Sequence, residues 1–274
     1  MSLPNKAGIS QAAKIDVLIP AIEKDLATLP HVVKAVRTHV KHPIGRILIV
    51  APRKERLLHF CREHSCTFID ENTVLPITKK DIHYRSRTWE RSGWLFQQLL
   101  KLGGDKLCKA DYFLVIDADT VLIAPHRFRQ NGRTVFFSRS WSQPQYFVTY
   151  KKLMGRKASA PSSLVTHYML FERSKLSRMK KEIEARHGVP WYSAILRSMN
   201  RSKQFAFSEF ETYGNYVYQN SPGGMLIRKA RNKSLHRNAG EVSQTEKAML
   251  GKSYRSLSFH KRKGYSRSSQ ASRH

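Results

Sequence analysis

Two aspartates, Asp117 and Asp119, flank Ala118 at the end of the apolar run YFLVI at residues 112–116. In extended backbone, residues two apart face the same side. The spacing therefore predicts that both carboxylates converge on one cation while Ala118 turns away. Two hard oxygen ligands suit Mg²⁺ or Mn²⁺, which keep coordination positions open for water and substrate phosphates. Acids are scarce, with 20 Asp and Glu among 274 residues, and carboxylates at the edge of a core are costly unless a cation compensates them. A second acidic pair, Glu209 and Glu211, follows Ser208. There a serine N-cap and acids in the first helical turn complement the helix dipole. Successive helical positions diverge by about 100°, so Glu209 and Glu211 point nearly opposite ways and at most one faces a site.

The elements that must position these groups follow from periodicity. Apolar runs at 15–20 (IDVLIP), 46–52 (RILIVAP), 67–70 and 111–116 read as strands, with residues 120–123 continuing the last one past the aspartates. Helical patterns lie between them at 24–42, with a restart at Pro30, at 54–64 and at 88–102, the last stopped by Gly103 and Gly104. Beyond them, 134–138 and 165–171 read as strands, and 173–186, 191–199 and 208–219 as helices, before a short strand at 225–227. Alternating strands and helices, with strands apolar throughout, predict an α/β fold: a mostly parallel central sheet covered on both faces. Such sheets bind ligands beyond the carboxyl ends of their strands, which directs attention to the loops at 20–25, 51–54, 70–72 and 117–119. With no internal repeat or evident linker, one domain at 15–260 is expected, between an N-terminal stretch at 1–14 and a basic, disordered tail at 261–274.

Charge restricts the partners. Lys and Arg number 49 against 20 Asp and Glu, a formal net charge of +29, which attracts nucleic acid, anionic membrane surfaces or phosphorylated substrates. From 221 to the C-terminus there are 13 Lys and Arg against two acids. The tail fits either a solubilising segment or an arm that seeks phosphates and lipid headgroups. Three cysteines without a CxxC pair argue against a disulfide framework or cysteine zinc site and fit a reducing cytoplasm. No apolar run reaches the roughly 18 residues of a membrane span, and residues 1–14 lack the apolar centre of a signal peptide. The expectation is a cytoplasmic protein, with peripheral contact at the inner face of an anionic membrane as an option.

The sequence resembles the nucleotide-diphospho-sugar transferases of the GT-A fold. The opening strand IDVLIPAIEKD, the second strand RILIVAP and the strand-borne DAD of YFLVIDADTVLIAP carry the resemblance. More narrowly, it is similar to a bacterial family of GT-A-type proteins through IPAIEKDL, GWLFQQLLKL, THYMLFE and SEFETYGNY, which follow in that order between residues 15 and 260. The resemblance implies a single GT-A domain, Rossmann-like, and metal-dependent transfer of a sugar from a nucleoside diphosphate, a UDP-sugar being favoured, to a glycan or glycolipid acceptor. It places Asp117 and Asp119 on Mn²⁺ or Mg²⁺ and offers His260 as a third ligand. It gives the donor contacts to Pro20, Ala21, Asp25, Arg53, Gln97 and Gln98, together with Asp117. For an inverting enzyme it puts an acceptor-side base at Glu209 or Glu211, with Glu209 preferred as the first residue after the cap; in a retaining enzyme neither need be a base, and one could hold the acceptor. His167, inside the apolar run VTHYMLF, reads as a satisfied core histidine ahead of an acceptor-side role. Lys261, Arg262 and Lys263 either fold over the donor or belong to the tail.

Two other classes compete. A basic nucleic-acid-binding protein agrees with the charge, but the sequence has no zinc-finger spacing, basic zipper or RNP-like aromatic motif, so no specific nucleic acid is expected. A metal-dependent nucleotidyltransferase would also use paired aspartates. The absence of a Gly-rich phosphate loop removes only its P-loop form.

Overall fold

The computed structural model describes residues 13–259. The strands are β1 (Ile15–Pro20), β2 (Ile44–Ala51), β3 (Thr67–Asp70), β4 (Tyr112–Ile116), β5 (Thr120–Leu122), β6 (Arg129–Gln130), β7 (Arg133–Ser138), β8 (Tyr168–Glu172), β9 (Met225–Lys229), β10 (Asn232–Leu235) and β11 (Ser256–Phe259). The helices are α1 (Leu29–His39), α2 (Glu55–Glu63), α3 (Lys79–Ile82), α4 (Ser92–Leu102), α5 (Gly104–Leu107), α6 (Pro144–Met154), α7 (Arg173–His187), α8 (Trp191–Ser198), α9 (Glu209–Asn220) and α10 (Gln244–Gly251).

The central sheet has five strands in the order β3-β2-β1-β4-β8. The first four run parallel, and β8 runs antiparallel against β4. Period-two alternation divides its side chains between two cores. Leu18, Leu48, Val50, Phe113 and Val115 enter one with α4 and the α6–α9 helices. Ile15, Val17, Ile19, Ile49, Leu114 and Ile116 enter the other with α1 and α2. Burying one such aliphatic side chain contributes on the order of 2 kcal/mol, which is why strands apolar on both faces are found only in covered sheets. The fold is a mixed α/β arrangement with a mostly parallel central sheet, as the alternation predicts.

Several boundaries differ from those read in the sequence. Residues 120–123 do not extend β4. The Thr120 amide donates to the Asp117 carbonyl (3.1 Å), closing a turn at 117–119, and β5 joins a separate sheet with β11 and β10. The helix expected from residue 24 begins at Leu29, with Pro30 in its first turn, where its missing N–H costs nothing. The helix expected from residue 88 begins at Ser92, because the Arg91 amide is held by the Tyr84 carbonyl (2.9 Å) and Arg85 bridges to Glu90. The run at 165–171 becomes strand only at Tyr168. Helix α6, which the sequence reading leaves out, carries two lysines and an exposed Phe147–Val148 pair on a face that blurs its apolar stripe. Gly104 is needed for close approach, since a Cβ there would lie 2.4 Å from the Phe113 ring.

Candidate metal and acidic site

The site forms where β4 ends. Because β8 is antiparallel, its first residue pairs with the last of β4, Tyr168 with Ile116. The preceding residue, His167, thus stands beside Asp117, and the Asp117 amide donates to the His167 carbonyl (2.9 Å). His167 Nδ1 lies 3.2 Å from Asp117 Oδ2. Asp119 completes the group: one ligand atom from each of Asp117, Asp119 and His167 lies within 4.8 Å of the others. The two aspartates converge because the chain turns at 117–119; the extended backbone that their spacing predicts does not form there. Thr120 Oγ1 donates to Asp119 Oδ1 (3.3 Å), and the Asp119 carbonyl accepts the Phe259 amide of β11 (2.9 Å).

Beneath this group lies Lys101 of α4, whose side chain is 9% exposed. Its Nζ donates to Asp117 Oδ1 (2.6 Å) and Glu209 Oε1 (2.7 Å) and lies 4.6 Å from the Phe210 ring centroid. Burial alone pushes the Asp117 carboxyl up, but Lys101 and His167 overcome this and hold it well below the usual carboxylate range. Burial also works against a charged Lys101, and the two carboxylates outweigh it, so the ammonium stays protonated. One turn earlier, Gln98 Oε1 accepts the Glu209 amide (3.2 Å). Ser208 caps α9 by accepting the Glu211 amide (3.2 Å). Helix α4 therefore fixes both the backbone and the carboxylate at the start of α9.

The remaining sequence-predicted residues separate into three groups. Asp25 belongs near the aspartates: burial raises its carboxyl, the Ile22 amide (2.9 Å) and Lys24 pull it back, and Asp119 and Asp117 add repulsion. Pro20 and Ala21 are buried at the end of β1, where the Ala21 amide donates to the Val50 carbonyl (3.0 Å). Elsewhere, Arg53 lies against Asp70 (3.6 Å) and over Phe68, Gln97 is half-buried on α4, and Glu211 points away from Lys101. The Glu211 carboxylate accepts from Ser163 Oγ (2.7 Å) and Asn215 Nδ2 (2.9 Å). His260 lies outside the described residues, as do Lys261, Arg262 and Lys263.

Sequence reasoning missed Lys101 and underrated His167. Lys101 carries a signal, a single cation in the otherwise apolar LLKL of a helix. His167 carries little, because its place depends on the direction of β8.

The donor set is chemically consistent with a divalent ion. Two carboxylates and an imidazole offer hard and borderline donors, and the imidazole favours Mn²⁺ over Mg²⁺. The spacing of Asp117 Oδ2 and His167 Nδ1 is that of two neighbouring ligands on one octahedral ion, about 3 Å apart.

The chain matches, over residues 12–267, a family described as "Family of unknown function (DUF6492)". It belongs to that family. For this DUF6492 chain no curated protein is a match. Among solved structures, it is similar to the apo form of the bifunctional glycosyltransferase WbbM, with TM-score 0.48 and 12% identity over 93% of this chain. It spans about half, 47%, of that protein's length. It is also similar to the galactosyltransferase LgtC in complex with donor and acceptor sugar analogues, with TM-score 0.45 and 14% identity over 89% of this chain and 87% of the other. A third is glucosyl-3-phosphoglycerate synthase from Mycobacterium tuberculosis with Mn²⁺, UDP and glucosyl-3-phosphoglycerate, with TM-score 0.42 and 13% identity over 78% and 69% of the two chains.

Proposed function

We propose that this protein is a metal-dependent glycosyltransferase that moves a sugar, hexosyl by preference, from a nucleoside-diphosphate-sugar to a glycan or glycolipid acceptor in surface polysaccharide or glycolipid synthesis. The observation that carries the reading is the Asp117–Asp119–His167 group at the carboxyl edge of a mostly parallel sheet, backed by Lys101 and Glu209. That edge is where open α/β sheets take their ligands.

Asp117, Asp119 and His167 would hold the cation. When bound, a divalent ion stabilises the negative charge that develops on the leaving diphosphate. Asp25, close enough to Asp117 and Asp119 to be repelled by them, is assigned to the donor's ribose or base. Pro20 and Ala21 are assigned to bring backbone to it, while Arg53, two residues past the neighbouring strand β2, is assigned a nucleotide contact. The transfer breaks the bond between the anomeric carbon and the diphosphate oxygen and forms one to the acceptor oxygen. Glu209 is assigned to take the acceptor's hydroxyl proton. Lys101 and Gln98 are positioning residues: one orients the Asp117 and Glu209 carboxylates, the other holds the Glu209 amide. Glu211 is assigned to the architecture of α9.

The test is a thermal-shift screen of UDP-, GDP- and dTDP-sugars with and without Mn²⁺, on the wild type and Asp119→Asn. Stabilisation by one nucleotide-sugar that requires the metal, and disappears in the variant, is expected. No metal-linked response to any donor would overturn the reading. Release of pyrophosphate in place of a nucleoside diphosphate would indicate nucleotidyl transfer.

A further inference from the structure

The β9–β10 turn holds a concentration of positive charge that the site above does not use. Arg228, Lys229, Arg231 and Arg255, with Phe137, line a cavity of about 260 Å³ that has no carboxylate among the described residues of its wall. Like charges gathered this closely repel one another, and an anion relieves the repulsion. The individual groups are held in place. Arg255 donates to the Pro125 carbonyl and lies 5.6 Å over the Phe137 ring, yet its buried Nε has no hydrogen-bond partner among the described residues. Arg228 donates to Gln130 (2.6 Å). Arg231 adopts a left-handed φ of 49°, a conformation that non-glycine residues seldom take and that often marks functional turns. This cavity is not the aspartate site: Arg255 precedes β11, and the Asp119 carbonyl bonds Phe259 at the far end of that strand.

Exposed apolar side chains follow in the chain after β7. Ser138 of β7 pairs with Lys229 and accepts the Ala230 amide (2.9 Å), and three residues further on stands Trp141, 54% exposed. Arg139 lies 4.5 Å from the Trp141 ring. Helix α6 buries Tyr146, Tyr150, Leu153 and Met154, and turns Phe147 (36% exposed) and Val148 (44%) outward beside Lys151 and Lys152. No acid occurs between residues 139 and 157. Exposed aromatic and aliphatic groups bordered by lysines are the pattern of a surface that enters the headgroup–acyl boundary of a bilayer.

We propose that the protein docks on an anionic phospholipid surface through the basic β9–β10 turn, whose cavity takes a headgroup phosphate, and that Trp141, Phe147 and Val148 enter the interface with it. Charge complementarity selects the occupant, because each Lys or Arg near an anionic leaflet is drawn to its negative surface potential. Vesicle binding is read without turnover, so it stands or falls separately from sugar transfer.

The experiment is co-flotation of the full chain with vesicles of phosphatidylcholine alone and of phosphatidylcholine mixed with phosphatidylglycerol, at low and high salt. Binding to the mixed vesicles, weak on phosphatidylcholine and reduced by salt, is expected. Arg228→Glu with Arg231→Glu should cut partition at least about tenfold. Trp141→Ser with Phe147→Ser should remove the part that survives high salt, and both variants should melt where the wild type does. Equal binding to the two vesicle types, binding to neither, or wild-type partition in either folded double variant would overturn the proposal. So would capture by an oligonucleotide in preference to the mixed vesicles.

Discussion

Lys101 Nζ bonds Asp117 Oδ1 and Glu209 Oε1 at once, 2.6 and 2.7 Å away, so one ammonium from α4 joins the end of β4 to the start of α9. These carboxylates are 92 residues apart in sequence, and without the lysine they would repel each other in a half-buried space. Lys101→Met should therefore destabilise the fold by about 3 kcal/mol, the typical cost of leaving buried charge uncompensated. Urea unfolding measures it. Adding Glu209→Gln should recover part of the loss, because it removes one of the stranded charges, and a strictly additive double variant would refute the coupling.

The three-residue ligand group predicts graded effects on metal binding. Asp119→Asn and His167→Ala should each weaken Mn²⁺ at least about tenfold, while a ligand position left to water still permits residual binding. Titration followed by electron paramagnetic resonance of free Mn²⁺ reads this without activity. If His167→Ala binds like the wild type, His167 is a packing residue and not a ligand.

Glu209 and Glu211 should separate by kind of defect. Glu209→Gln is expected to lower kcat by a factor of about 10² to 10⁴, the usual contribution of a positioned base, while keeping the donor-induced thermal shift. Glu211→Gln weakens the bonds from Ser163 and Asn215 and should cost about 1 kcal/mol of stability with kcat nearly unchanged. The reverse pattern would transfer the assignment to Glu211.

His126 predicts acid sensitivity remote from the site. It is wholly buried, its Nδ1 lies 2.7 Å from the Ala124 carbonyl, and its Nε2 lies 3.1 Å from the Tyr168 hydroxyl. With Nδ1–H donating and Nε2 accepting, the ring is satisfied when neutral. Burial pulls its pKa down to about 3 from 6.5. Below 6.5 the unfolded chain binds the proton and the folded chain does not. The stability is therefore full above that value and is lost as the pH falls toward 3. Between pH 7 and roughly pH 4.5 the wild type should lose about 2 to 3 kcal/mol more than His126→Phe, read from urea midpoints at the two pH values. Parallel losses in both proteins would refute it.

The run YFLVI and its two acids were legible, because a covered parallel strand must be apolar throughout and an acid at its end must find a compensating charge. The geometry behind their convergence was not, since a turn closed by the Thr120 amide replaces the extended backbone that the spacing suggested. Ser208 announced α9, because capping is a local interaction between a side chain and an amide three residues on.

By itself the sequence determined the alternation of strands and helices, the two-sided covering of the sheet, the acidic pair at the tip of β4 and the excess of positive charge. Each is a matter of local periodicity or composition. Tertiary structure alone decided that His167 joins the pair, because that needs β8 to run against β4. It alone decided that Lys101 serves Glu209 and not solvent, that Glu211 turns inward to Ser163, and that Arg255 meets Arg228 and Arg231. All of these are contacts between segments far apart in the chain, fixed by which element packs on which, and no spacing within one segment encodes them.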